Sequence, residues 1–168
     1  MKEQPVCYVE SFISPLGKIT LASNGDTLTG CWFEGQRHFG RTLSGVCETK
    51  PLGIFDDAKR WLVVYFQEGE PDFCPRLSFA YTATAFEQKV WRALLEIPYG
   101  TTVTYKDVAQ RVGGATYCRA AAGAIGRNPI SLFVPCHRVI GSDGTLTGYA
   151  GGLDRKAWLL RLEARGKL

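Results

Sequence analysis

Apolar and polar residues alternate through "SPLGKITLASNGDTLTGCWFEG", residues 14 to 35, on both sides of Asn24-Gly25-Asp26, and this predicts two antiparallel strands joined by a hairpin. The period then lengthens. In "IFDDAKRWLVVYFQEGEP", Ala58, Trp61, Leu62, Tyr65 and Phe66 recur at helical spacing, Asp56 and Asp57 stand at the start, and Gly69 and Pro71 end the run. A proline-containing extended connection is expected over residues 71 to 83.

From residue 84 the pattern is helical. Thr84 with Glu87 forms a capping box, and Phe86, Val90, Leu94 and Ile97 share one face before Pro98 and Gly100 stop the helix. Thr104 and Asp107 repeat the cap, Val108, Ala109 and Val112 make a short apolar face, and Gly113-Gly114 breaks it. A third cap at Thr116 is expected to open "TYCRAAAGAIGRNP", which Asn128-Pro129 terminates. Two short helices about a glycine turn make a helix-turn-helix, whose second helix carries Ala120, Ala121, Ala122, Gly123 and Ala124. Such a small-residue run fits tight core packing, or close approach to a partner. The pattern predicts an α+β protein: an amino-terminal antiparallel sheet with a helix over residues 1–80, then a mostly helical part over 81–168.

Charge follows the same division. The first 80 residues hold 8 Lys+Arg against 10 Asp+Glu, and the remainder 12 against 6, so a protein of net charge +4 concentrates its positive charge in the helical half. With Arg119 beside the small-residue run and Arg111 and Arg127 nearby, that half carries the footprint expected for a polyanion. The apolar runs "WLVVYF" and "ISLFV" are too short to span a bilayer, and Lys2, Glu3 and Gln4 precede no apolar signal region, so an intracellular protein without a membrane partner is expected. Six cysteines in a chain of 168 residues, with no secretory signal, suggest reduced thiols. No CxxC pair occurs, and a zinc site would need scattered ligands such as Cys31, His38 and Cys47, so no metal is expected.

The remaining chemistry lies in "FVPCHRVIG", residues 133 to 141. A thiol of ordinary pKa near 8.5 is mostly protonated at neutral pH, so a nucleophilic Cys136 needs a base, and His137 is adjacent. On a strand the two side chains would point apart; Pro135 suggests instead that a strand ending at Val134 gives way to a turn where they converge, directly or through one water. The helix "GGLDRKAWLLRLE" ends in Glu163, a carboxylate able to orient the imidazole. Taken alone, the dipeptide fits a packed cysteine beside a backbone-satisfied histidine better than a reactive pair.

The longer block "NPISLFVPCHRVIGSDGTLTGYAGG" resembles the active-site signature of the O6-alkylguanine-DNA alkyltransferases, also called methylated-DNA-protein-cysteine methyltransferases. The likeness runs in register from Phe86 to Glu163, and "SPLGKITLA" is similar to the family's first hairpin. The resemblance implies a ribonuclease H-like amino-terminal domain and a winged helix-turn-helix-like domain holding the active site. It implies repair of O6-alkylguanine, and of O4-alkylthymine, in double-stranded DNA bound through its minor groove, by a monomer that transfers the alkyl group irreversibly to itself without a cofactor.

By the same resemblance, Cys136 would accept the alkyl group, His137 would act through water as its base, and Glu163 would orient the imidazole. Asn128 would tie the helix-turn-helix to the active-site loop, and Tyr105 would donate to the departing guanine. Arg119 would fill the gap left by the flipped nucleotide, with Tyr117, Ala120, Ala121 and Arg127 along the DNA-facing surface. Tyr149, Ala150, Val139 and Pro129 would line the base pocket. Tyr117 and Cys118 depart from the small residues that related proteins carry before the arginine, and Cys118 is expected to be a packed thiol. Two other readings are a lesion-binding protein without transfer, which the presence of Cys136 disfavours, and a helix-turn-helix regulator, which leaves "PCHRV" and "GYAGG" without a role.

Overall fold

The computed structural model describes residues 7–43, 45–79 and 83–165. The boundary expected between residues 80 and 81 and the segment Lys2-Glu3-Gln4 lie outside them. The expected hairpin is β2 (Gly17–Ser23) with β3 (Leu28–Phe33), antiparallel, its loop held by Asn24 Oδ1, which accepts from the N–H groups of Asp26 and Thr27. Two strands absent from the sequence reading complete the sheet. β1 (Cys7–Ser14) pairs antiparallel with β2, and β4 (Cys47–Thr49) pairs parallel with β1, giving the order β3-β2-β1-β4. β1 escapes the alternation test because only its end residues, Cys7 and Ser14, are buried, so no period-two stripe exists.

Helix α1 (Gly53–Gln67) crosses the sheet and buries Ile54, Phe55, Ala58, Trp61, Leu62, Tyr65 and Phe66, each burial favourable by roughly 1.5–3 kcal/mol for a large apolar side chain. It begins ahead of the expected acidic pair. Leu52 is the cap residue without a side-chain bond, and Asp56 supplies negative charge inside the first turn, where the helix dipole favours it.

In the helical half, α2 (Ala85–Leu95) and α3 (Tyr105–Val112) open on complete capping boxes, Thr84 with Glu87 and Thr104 with Asp107. The third cap is corrected. Thr116 lies inside a 3₁₀ turn, Ala115–Tyr117, which follows Gly114 at φ 132°; α4 (Cys118–Gly126) starts after it with Tyr117 as cap residue and no side-chain cap. The left-handed glycine and the Tyr117 N–H bond to the Gly114 carbonyl direct the chain into the helix in place of a threonine hydroxyl.

β5 (Val103–Thr104) and β6 (Val139–Ile140) pair in parallel, and α5 (Leu153–Arg165) closes the described chain. α2, α3 and α4 pack on one another, and the Trp91 indole N–H donates to the Ala124 carbonyl at 2.8 Å. One buried apolar cluster runs through both halves, from Ile19, Leu21 and Phe33 of the sheet through Leu62 and Tyr65 to Val90, Ile125, Val134, Cys136 and Leu159. Among the described residues no helix is long and apolar enough to cross a membrane.

Candidate active site

The loop that carries Cys136 is shaped from both sides. The outer edge of β3 takes it up: the Cys31 N–H donates to the Pro129 carbonyl and the Ser131 N–H to the Cys31 carbonyl, both at 2.9 Å. From within, the Asn128 amide donates to the Val134 carbonyl at 2.8 Å and its oxygen accepts from the Ile130 N–H at 3.0 Å. The expected strand ending at Val134 is therefore corrected. Residues 130–134 form a tight turn with isolated bridges, because the Asn128 clamp and Leu132 at φ 74° fold the segment back on itself.

Past Pro135 the chain makes a 3₁₀ turn, Cys136–Arg138, so Cys136 and His137 do not point to opposite faces as they would on a strand. Both are buried. The His137 Nε2–H donates to Glu163 Oε2 at 2.5 Å, which leaves Nδ1 of a neutral ring with a lone pair; Nδ1 has no hydrogen-bond partner among the described residues. Burial lowers the His137 pKa, so the ring is neutral at pH 7.

Burial alone would raise the Glu163 carboxyl, but the hydrogen bonds from His137 and Arg138 and the charge of the guanidinium outweigh it and hold the group ionised, well below the usual carboxylate range. Its oxygens are heavily used. Oε1 accepts from Arg138 Nε at 2.8 Å and the Gly100 N–H at 2.9 Å; Oε2 accepts from the Tyr65 hydroxyl at 2.6 Å and more distantly from Arg138 Nη2 at 3.3 Å. Arg138 also donates to the Ile97 carbonyl at 2.7 Å.

Burial raises the Cys136 thiol, opposed by the Asn128 amide, the positive charge of Lys156, and the N–H groups of Cys136 and His137. The resting cysteine is a protonated thiol whose surroundings favour the thiolate once its proton has somewhere to go. Lys156 is fully buried; its ammonium donates to the Thr147 carbonyl at 2.9 Å, which also accepts the Tyr105 hydroxyl at 2.7 Å. Tyr105, Lys156 and the loop ahead of "GYAGG" thus meet on one oxygen. A side chain at Gly151 would run into the Tyr149 ring at 2.7 Å, so the loop passes Tyr149 only as glycine.

The structure pairs His137 with Glu163 in a hydrogen bond and sets the Asn128 amide beside the Cys136 thiol and its loop, with Tyr105 and Tyr149 near enough to feel the charge of a Cys136 thiolate. Val139 and Pro129 are buried, the latter through its carbonyl bond to Cys31, and Ala150 is half-buried with its carbonyl accepting from the Arg37 N–H. Arg119, Ala120 and Tyr117 are exposed at the start of α4. Ala121 is corrected: it is fully buried against the core, so it leaves the DNA-facing set. Arg127 folds back over Gly123 to pair with buried Glu87 at 2.9 Å. Sequence reasoning missed Tyr65, Arg138 and Lys156. Lys156, Leu159 and Glu163 stand at i, i+3 and i+7 of α5 and are all buried, a spacing that would have revealed the lysine. Among the described residues no group of three His, Cys, Asp or Glu side chains is placed to hold a metal.

Residues 85–165 match the family described as 6-O-methylguanine DNA methyltransferase, DNA binding domain. The chain is 43% identical over 157 residues to the methylated-DNA--protein-cysteine methyltransferase of Methanosarcina barkeri, covering 93% of this chain and 96% of that one. The Mycobacterium leprae protein of that name is 41% identical over 156 residues, covering 93% and 92%. Among solved structures, Mycobacterium tuberculosis OGT in complex with DNA superposes with a TM-score of 0.83 at 41% identity, covering 94% of this chain and 93% of that one. The chain belongs to the methylated-DNA--protein-cysteine methyltransferase family.

Proposed function

We propose that this protein repairs double-stranded DNA by direct reversal, moving the alkyl group of O6-alkylguanine, and of O4-alkylthymine, to Cys136 Sγ in one irreversible turnover. The observation that carries the reading is the buried His137–Glu163 hydrogen bond, which presents the Nδ1 lone pair of the imidazole on the residue adjacent to a buried thiol. In the reaction the thiol proton passes through a water to His137 Nδ1, sulfur attacks the alkyl carbon, and the carbon–oxygen bond breaks with its electrons moving into the guanine. The Tyr105 hydroxyl turns from Thr147 to donate to the leaving base. The product is a thioether without a leaving group, so each molecule acts once and needs no cofactor.

A base lesion inside a duplex is reached by flipping it out, at a cost of a few kcal/mol. Arg119, exposed on the first turn of α4, fits the part of the side chain that fills the gap, with Ala120 and Tyr117 beside it against the minor groove. Arg127, half-exposed beyond its bond to Glu87, adds positive charge. Tyr149, Ala150, Val139 and Pro129 line the base pocket in this reading. The complex of the M. tuberculosis relative with DNA supports a DNA partner. We further infer a two-part organisation divided near residue 80. The β3-β2-β1-β4 sheet under α1 supports a ribonuclease H-like first part, and α3, the glycine turn and α4 beside the β5–β6 pair support a winged helix-turn-helix-like second.

The test is label transfer from duplex DNA containing radiolabelled O6-methylguanine. One methyl per protein is expected, and none for Cys136→Ala. Multiple turnover, or transfer that survives the substitution, would overturn the reading.

A further inference from the structure

We infer that Tyr65, on α1 of the amino-terminal half, is a positioning residue for the proton relay: its hydroxyl holds Glu163 in the orientation that aims the His137 ring at Cys136, and it sets how strongly that carboxylate pulls on the imidazole. The inference rests on the reading of Cys136 as the alkyl acceptor.

Three observations carry it. Tyr65 Oη donates to Glu163 Oε2 at 2.6 Å and stands 3.4 Å from His137 Nε2, which carries its own proton and cannot accept, so the hydroxyl proton is committed to the carboxylate. The ring has no freedom to turn away, since it stacks on Trp61 at 5.1 Å and 5° and meets Tyr99 edge-on at 6.1 Å. The same carboxylate oxygen accepts the imidazole N–H, while Arg138 and the Gly100 N–H hold the other oxygen.

The two nearest donors on Oε2, the imidazole N–H and the Tyr65 hydroxyl, divide its basicity, with Arg138 Nη2 farther off. Were the hydroxyl removed, Glu163 would draw harder on the Nε2 proton, stabilising imidazolium and loosening the ring. The charged and titratable groups around the pair include Glu163 and Lys156 from α5, Arg138 and Cys136 from the acceptor turn, Tyr99 from the α2–β5 loop, Tyr149 from the loop before α5, and Tyr65 itself. Tyr65 is the member that comes from α1, which lies outside the segment matched to the DNA-binding family model. By this account the amino-terminal half tunes the chemistry as well as supporting the fold.

The experiment uses the full chain with Tyr65→Phe and with 3-fluorotyrosine incorporated at position 65, whose hydroxyl is a stronger donor. His137 and His38 are the two histidines, so imidazole nitrogen resonances are readily followed by NMR against pH. For Tyr65→Phe, single-turnover transfer at saturating methylated duplex is expected to slow roughly tenfold with unchanged DNA affinity. The His137 titration and the acid limb of the rate profile should move up by about half a pH unit or more. With fluorotyrosine both should move down. A merely structural tyrosine leaves the titration and the profile in place in both proteins, and that result overturns the inference; should Tyr65→Phe fail to fold, the fluorotyrosine protein alone decides it. Because the NMR readout involves no alkyl transfer, it fails or succeeds independently of the Cys136→Ala result.

Discussion

Glu163 lies 2.5 Å from His137 through Oε2 and 2.8 Å from Arg138 through Oε1, so a single buried carboxylate both fixes the imidazole tautomer and neutralises a buried guanidinium. Replacing it by glutamine keeps an acceptor for the His137 N–H but leaves Arg138 without its counter-charge. Breaking a buried pair from one side costs about 3–5 kcal/mol. Glu163→Gln is expected to lower the urea midpoint accordingly and to slow single-turnover transfer by about 10²-fold or more, within the range for loss of acid–base assistance. A variant with native stability and native rate would contradict the assigned geometry.

The dependence of stability on pH follows from the shifted groups. His137 has its pKa lowered by burial, so between its ordinary value near 6.5 and its folded value the unfolded chain binds the extra proton and stability falls as pH drops. Glu163, held low by His137 and Arg138 against the effect of burial, adds a second loss below its ordinary 4.5. On the alkaline side, burial raises Cys136 and Cys31, so above the ordinary thiol range of about 8.5 to 9 the folded state retains protons that the unfolded one releases, and stability falls again. Urea midpoints across pH 4 to 10 should show a plateau between roughly 6.5 and 9. A midpoint constant down to pH 5 would remove the buried neutral histidine.

Lys156 separates reactivity from stability. Its ammonium is fully buried with the Thr147 carbonyl as its hydrogen-bond acceptor, and burial lowers its pKa while the charge of a Cys136 thiolate raises it. A desolvated ammonium with one acceptor contributes little to stability, and exchange for an apolar side chain of similar length is often neutral or favourable. Lys156→Met is therefore expected to hold or raise the melting temperature and yet to slow transfer about tenfold, because the thiolate loses its positive neighbour. Parallel melting and rate measurements decide it; loss of stability with an unchanged rate would assign Lys156 to the fold.

Much of this architecture was legible from periodicity and caps. The β2–β3 alternation, the α1 stripe and the boxes at Thr84 and Thr104 are local, and local energetics decided them. The family motif led to the expectation that Glu163 orients His137, and the two are hydrogen-bonded. What escaped depended on tertiary direction. Periodicity reports that the Tyr65 ring is buried but not where its hydroxyl points, and a lysine in an amphipathic helix reads as solvated until its neighbours are known. Ala121 fell on the wrong side because five small residues in succession carry no polar marker of helix phase; packing against α2 and α3 set it.

Arg119 and Arg127 flank the same helix yet should fail differently. Arg127 spans from the end of α4 to Glu87, whose side chain is 4% exposed and also pairs with Arg41 at 3.2 Å, so its removal weakens the compensation of a buried carboxylate that caps α2. Because the Arg127 side chain is itself 38% exposed, solvent screens the pair and the loss should be modest, about 1 kcal/mol. Arg119 is exposed on the first turn of α4, and its substitution should leave the melting temperature unchanged. If Arg119 fills the gap left by a flipped base, Arg119→Ala will slow repair in duplex DNA far more than reaction with a free alkylated guanine base. A side chain that only neutralised a phosphate would instead lower the salt dependence of binding by about 0.9 in the logarithmic slope and leave the rate at saturation intact. Equal losses on duplex and free base would exclude intercalation, since a residue that acts on the stack has nothing to act on when there is none.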